Sequence, residues 1–288
     1  MHKLKIKIVV DAECDLYYNI PSPHFSKIDM IKWRLNKIAG RWFRYPSPTS
    51  QGLINLIECF KKHNQKATLC IAGHLYLKEC KGHPHFYELK PEHDWYKNKI
   101  GKDWYYWDNG KTNCLGSIIK KEKDNPLFKF GLHSFTHEAL TLERQEVIAS
   151  IIHAGIKSAS QLGIRIESFA APFEMTEDES DPNKVFDILK KFGIHEVVYA
   201  GQDNGLIKKR FFDIKPLVND DGLDKVWISN YIEGTSSQEH VDQIILDIEA
   251  NKDKEAIYCL VMHDFTWKGT KQLEKVINYI QDNGFESI

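Results

Sequence analysis

The chain has 288 residues, 42% of them hydrophobic and 12% aromatic, which is enough to bury one sizeable core, and no shift in composition divides it into two. Its 39 Lys and Arg against 40 Asp and Glu leave a formal net charge of −1, which argues against a nucleic-acid partner or an electrostatic membrane anchor. The 6 cysteines are scattered without a C-x-x-C pair, so no disulfide framework is expected, and no stretch reads as a transmembrane span.

In chain order, Leu4-Lys5-Ile6-Lys7-Ile8 alternates apolar residues with lysine at the strand period, stays apolar through Val9 and Val10, and runs into Asp11-Ala12-Glu13-Cys14-Asp15. Met1-His2-Lys3 leads straight into this strand, which is too short and too charged for a signal-peptide core, so a cytoplasmic protein is the expectation. Acids crowded at a strand end are costly unless a cation, a donor or water satisfies them. A solvated turn after an edge strand is the plainer alternative. Cys14 stands inside this cluster, where a thiolate has access to a metal or an oxidant.

Residues 16–48 then read as an insertion carrying Tyr17, Tyr18, Trp33, Trp42, Phe43 and Tyr45 with Arg34, Arg41 and Arg44. Ser50 to Lys62 has helical apolar spacing, with Thr49 or Ser50 as N-cap, and Lys66 to Ala72 reads as a strand. A second insertion, residues 73–126, holds Trp95, Trp104 and Trp107 among many aromatics, with Asp94, Asp103 and Asp108 nearby. Flat aromatic faces beside acids suit sugar rings, though the same aromatics would also pack a long loop onto a core.

Phe128 to Leu132 is a short apolar stretch followed by His133-Ser134-Phe135-Thr136-His137. Two imidazoles four residues apart share one face if a helical turn starts there, and neutral imidazole is a ligand for zinc, cobalt, nickel and iron. A hydrolytic metal needs about three protein ligands and one open position, so a carboxylate should join them. A helix from about Leu142 to Leu162 and a strand from Ile164 to Ala171 follow, the strand stopping at Pro172-Phe173. Asp181 to Phe192 reads as a helix, His195 to Ala200 as a strand, and Glu239 to Ala250 as a helix with Ser236 and Glu239 in a capping box. Ala256 to Met262 is a continuous apolar run ending in His263-Asp264, and Lys271 to Ile280 looks helical. An aspartate near His263 would hold it protonated, as a general acid requires; Asp264, Asp203 and Asp213 all qualify. Alternating strands and helices predict an α/β fold with parallel strands, in a barrel or an open sheet, and polar groups at strand carboxyl ends suit a barrel's active face.

Taken in order, Asp11-Ala12-Glu13, His133-Ser134-Phe135-Thr136-His137, Ala170-Ala171-Pro172-Phe173 and Leu260-Val261-Met262-His263 resemble the motifs of the polysaccharide deacetylases, the NodB-homology carbohydrate esterases. The resemblance runs from Leu4 to about His263 and implies one catalytic domain over residues 1–288, a distorted (β/α)7 barrel with the two aromatic-rich insertions. It implies hydrolysis of an N-acetyl group on a sugar of a surface glycan or its precursor, with a divalent metal, zinc before cobalt, nickel or iron. Other relatives of the same fold act on formyl or other amides, and some would bind sugar without turnover. By this likeness Asp11 is the catalytic base and His263 the general acid. Glu13, His133 and His137 are the metal ligands, with Asp15 able to displace Glu13. Pro172, Phe173, Trp95, Trp104 and Trp107 line the substrate, and Asp264 supports His263. The family's base-orienting arginine is matched here by Ala170, so Arg165 or a lysine supplies that charge or the base works without it.

Overall fold

The structure, a computed structural model, describes residues 2–13, 31, 51–79, 88–89, 91, 114–135, 137–174, 176, 181–200 and 214–288. Strand β1 (Lys5–Ala12) is buried along nearly its whole length and pairs in parallel with β2 (Ala67–Ile71) on one side and β8 (Ile257–His263) on the other. From β2 the parallel ladder continues through β3 (Phe128–Leu132), β4 (Ser168–Ala170), β5 (Glu196–Tyr199) and β7 (Leu223–Tyr231) to β8, so the sheet closes on itself as a barrel. Two short strands decorate it: β6 (Val218–Asp220) forms an antiparallel hairpin with β7, and β9 (Glu286–Ser287) pairs with the start of β1.

The two faces of β1 explain why its sequence alternates and then stops alternating. Ile6, Ile8, Val10 and Ala12 join the main core between barrel and helices, whereas Val9 belongs to a separate inner cluster with Cys70, Ala170, Val198, Cys259 and Val261. Lys7 and Asp11 share the inward parity of Val9, one below this apolar plug and one above it. Because β8 is covered on both faces, it reads as an uninterrupted apolar run.

Helices α1 (Gln51–Lys62), α2 (Gly116–Glu122), α3 (Gln145–Ser160), α4 (Lys184–Lys191), α5 (Gln238–Asn251) and α6 (Lys271–Asp282) surround the strands. In α1 the buried Leu53, Leu56, Ile57 and Phe60 follow the helical period, and Lys61 and Lys62 in the last turn favour the negative end of the helix dipole. Each such side chain contributes about 1.5–3 kcal/mol when fully buried. Gly155 in α3 lets the helix approach β3 directly behind the histidine motif, since a Cβ there would lie 2.5 Å from the Leu132 side chain.

Several elements differ from the sequence expectation. Strand β4 is only Ser168–Ala170, and the hairpin β6–β7 and helix α2 were not anticipated; α2 and the buried 3-10 turn Gly73–Tyr76 lie within residues 73–126, whose ends therefore belong to the barrel wall. The cap of α5 is Ser237, whose side chain accepts from the His240 N–H at 3.2 Å; Ser236 instead accepts from the Glu233 N–H at 2.9 Å, fixing the turn after β7. No helix among the described residues is long and apolar enough to cross a membrane.

Candidate active site

The carboxyl ends of β1, β3 and β8 converge at one mouth of the barrel. Register places Asp11 opposite Cys70 on one side and His263 on the other, with Glu13 two residues further out. Asp11, Glu13, His133 and His137 are all buried.

His133 continues β3, but His137 is not reached by a helical turn. Ser134 and His137 both have left-handed backbone, with φ of 53° and 69°, so the chain doubles back and brings the two rings to 4.9 Å between centroids. Left-handed backbone costs a non-glycine residue about 1–2 kcal/mol, and local bonds offset this. The Glu138 N–H donates to Ser134 Oγ at 3.0 Å, the Phe135 N–H donates to Glu138 Oε2 at 3.0 Å, and the Gly73 N–H donates to the Ser134 carbonyl at 2.9 Å. The tight turn is the spatial meaning of the His-x-x-x-His spacing.

Glu13 is the hub. Its Oε1 lies 3.0 Å from His133 Nε2, 3.2 Å from His137 Nε2 and 3.8 Å from His263 Nε2. Its N–H donates to Asp264 Oδ1 at 3.0 Å, so Asp264 anchors the segment after β1. Burial alone would raise the Glu13 carboxyl, but His137, His133 and His263 together hold it well below the usual carboxylate range. Among the described residues, Glu13 Oε2 and Asp11 Oδ1 are buried without a hydrogen-bond partner. Such orphaned oxygens are costly unless a further group satisfies them.

Glu13, His133 and His137 fit a divalent cation. Their donor atoms all lie within 4.8 Å of one another, and the 3.0 and 3.2 Å separations approach the edge of about 3.3 Å spanned by neighbouring ligands of tetrahedral zinc. The outer support is also present. His133 Nδ1 lies 3.0 Å from the Ala170 carbonyl, which accepts its proton, so Nε2, 3.0 Å from Glu13 Oε1, is the ring nitrogen placed to bind an ion.

His263 occupies the other side. Its Nδ1 is 2.6 Å from Glu233 Oε1, and Glu233 Oε2 in turn accepts from the Thr266 hydroxyl at 2.7 Å. Burial would lower the imidazole, but Glu233 raises it well above its ordinary value. Tyr231 stacks nearly parallel to the ring at 6.0 Å and Phe265 lies at 5.4 Å. Asp11 is raised above the usual aspartate range, because burial outweighs the pull of His133, at 3.9 Å, and of His263.

The sequence expectations fare unevenly here. Asp11, Glu13, His133, His137 and His263 are brought together, and Phe173 meets His137 edge-on at 4.5 Å, with Pro172 opening the 3-10 turn Pro172–Glu174. The partner of His263 Nδ1 is Glu233 rather than Asp264; Glu233 follows strand β7, which the sequence pattern does not reveal. Arg165 does not replace the expected arginine: it is exposed, paired with Glu167 at 3.2 Å and placed before β4, far from the strand's carboxyl end. Lys7 and Lys129 face Glu196 below the apolar plug. Asp15, Trp95, Trp104, Trp107, Asp203 and Asp213 lie outside the described residues.

No protein-family model matches the chain, and no curated protein matches it. Solved structures do share its fold. A protein described as a polysaccharide deacetylase from Mycobacterium smegmatis superposes with a TM-score of 0.56 at 12% identity, covering 97% of this chain and 84% of that one. A family 4 carbohydrate esterase from Streptomyces lividans, in complex with acetate, gives 0.51 at 11% identity, covering 100% and 93%. A GH57-type branching enzyme from Pyrococcus horikoshii gives 0.56 at 12% identity, covering 99% of this chain and 69% of its own. The chain thus has the NodB-type (β/α)7 barrel of the carbohydrate esterases. A branching enzyme on the same barrel means that the chemistry must be read from the side chains.

Proposed function

We propose that the protein is a divalent-metal-dependent hydrolase that removes an acetyl group from the nitrogen of an N-acetylated sugar, within a glycan or a glycan precursor. The observation that carries this reading is one buried Glu-His-His cluster beside Asp11, whose Oδ1 has no hydrogen-bond partner among the described residues, and beside a histidine held by a carboxylate, His263 with Glu233. Glu13, His133 and His137 would hold a divalent ion, with zinc the leading candidate and cobalt, nickel or iron also suited, and the ion would supply Lewis acidity toward the amide carbonyl and water.

The residues of the chain do the rest. Asp11, whose buried Oδ1 has no hydrogen-bond partner among the described residues, takes the proton of the attacking water. His263 gives a proton from Nε2 to the sugar nitrogen as the C–N bond breaks, while Glu233 keeps Nδ1 protonated and the ring oriented. Pro172 and Phe173 border the acyl group beside His137, and a backbone N–H at Phe173 is the donor we assign to the developing oxyanion. Free Cys59, Cys70 and Cys259 favour a reducing, cytoplasmic setting.

The test is acetate release from N-acetylhexosamines, nucleotide-linked N-acetyl sugars and chitooligosaccharides by metal-loaded protein. Acetate from one of these supports the reading. Formate from N-formyl sugars, with no acetate, would move the substrate to another acyl group. Sugar binding without turnover would make the protein a binding module.

A further inference from the structure

A second group of metal-binding side chains lies away from the barrel mouth. Cys59 and His63 stand four residues apart at the C-terminal end of α1, and Glu274 stands in the first turn of α6. Their donor atoms all lie within 4.8 Å of one another. His63 Nε2 is covered and has no hydrogen-bond partner among the described residues, as expected of a nitrogen whose lone pair awaits a ligand. The frame around them is set by other contacts. Gln281 Nε2 donates to the His63 carbonyl at 2.6 Å, and Lys62 Nζ and the Thr270 hydroxyl reach Glu274 Oε1 at 3.3 and 2.9 Å.

We propose that Cys59, His63 and Glu274 form a second divalent-cation site, of zinc type, that clamps α1 to α6. Thiolate, imidazole and carboxylate together suit zinc, whereas calcium and magnesium favour oxygen ligands alone. Three protein ligands leave one position for water, at a rim where Cys59 is 3% exposed and the Glu274 side chain 31%. The ion takes Cys59 as its thiolate, so binding releases the thiol proton into solvent.

The clamp reaches the catalytic end of the barrel through α1. At its first turn a Cβ on Gly52 would lie 1.9 Å from the Asp264 carbonyl, and the Asn55 side chain donates to the Trp267 carbonyl at 3.1 Å. Fixing the far end of this helix therefore stiffens the support of the segment that follows His263.

The experiment uses the full chain carrying His133→Ala and His137→Ala, which blinds the barrel-mouth site and makes the result independent of the proposed hydrolysis. Metal-stripped protein is titrated with Co²⁺. A thiolate-to-cobalt charge-transfer band should grow to one equivalent, Zn²⁺ should displace it and raise the Tm, and adding Cys59→Ser should abolish both effects. His63→Ala, at a half-buried position, should weaken binding by about tenfold or more, and it tests the site equally well if the buried Cys59→Ser variant does not fold. No band and no Tm rise, or a band unchanged by both substitutions, would overturn the site.

Discussion

Lys7 and Asp11 share the inward parity of one strand and are buried to the same degree, at 3% and 4% exposure, yet their surroundings are opposites. Lys7 Nζ meets Glu196 Oε2 at 3.0 Å, Glu196 Oε1 accepts from the Ser168 hydroxyl at 2.8 Å, and Lys129 adds a second cation at 3.5 Å. That lower level of the barrel is electrically closed. At the mouth, beyond the Val9 plug, Asp11 and Glu13 each retain a buried oxygen without a hydrogen-bond partner among the described residues. The difference teaches how to sort buried charge. Where every atom is satisfied the group belongs to the fold, and where oxygens are left over beside imidazoles the site is built for a further ion and a substrate.

The largest effect that would sharpen this contrast is removal of a mouth ligand. His133→Ala or His137→Ala should reduce bound metal at the mouth and bring acetate release to background, read by metal analysis and coupled acetate assay. Next, Asp11→Asn should keep the metal while turnover falls by about 10²–10⁴-fold, the range for losing a general base. Unchanged turnover would assign the base elsewhere. Smaller again, Glu233→Gln should lower kcat/KM by about 10–100-fold. Glu233 raises the His263 pKa, so its loss should also move the alkaline limb of the pH–rate profile to lower pH, where a purely structural residue would leave that limb in place.

The lower level should behave in the opposite way. Lys7→Met breaks a buried pair, a change that costs about 3–5 kcal/mol for an isolated pair and less here because Lys129 remains near Glu196. Turnover per folded molecule should be unchanged. Burial would raise Glu196, but Lys7 and Lys129 hold it below the usual glutamate range. The stability it contributes is therefore fully present above that range and is lost as pH falls through the lowered value; Lys7→Met should reduce this acid-limb dependence in denaturation curves. Lost turnover at full stability would break the distinction between the two levels.

Much of the barrel was legible because β1 and β8 are covered on both faces and so spell continuous apolar runs, with their polar residues displaced to the strand ends. The histidine pair was legible as chemistry but not as geometry, since its left-handed turn leaves no trace in residue type at Ser134 or His137. Strand β7 was not legible: Asp224, Lys225, Ser229 and Asn230 interrupt it, and with it went Glu233, which meets His263 only because barrel closure brings β7 beside β8. Ala170 looked like a lost function. Its contribution is a carbonyl accepting from His133, and a backbone group is supplied by any side chain. Whatever balances Asp11 among the described residues is imidazole, from His133 and His263, rather than a guanidinium.

The most direct test is the metal dependence of hydrolysis at the mouth. Protein stripped with a chelator and reloaded with Zn²⁺ should regain acetate release from an N-acetylated sugar in proportion to the ion bound, and the same reloading of His137→Ala should restore none. Acetate release that persists in fully stripped protein, or that His137→Ala retains in full, would contradict the account.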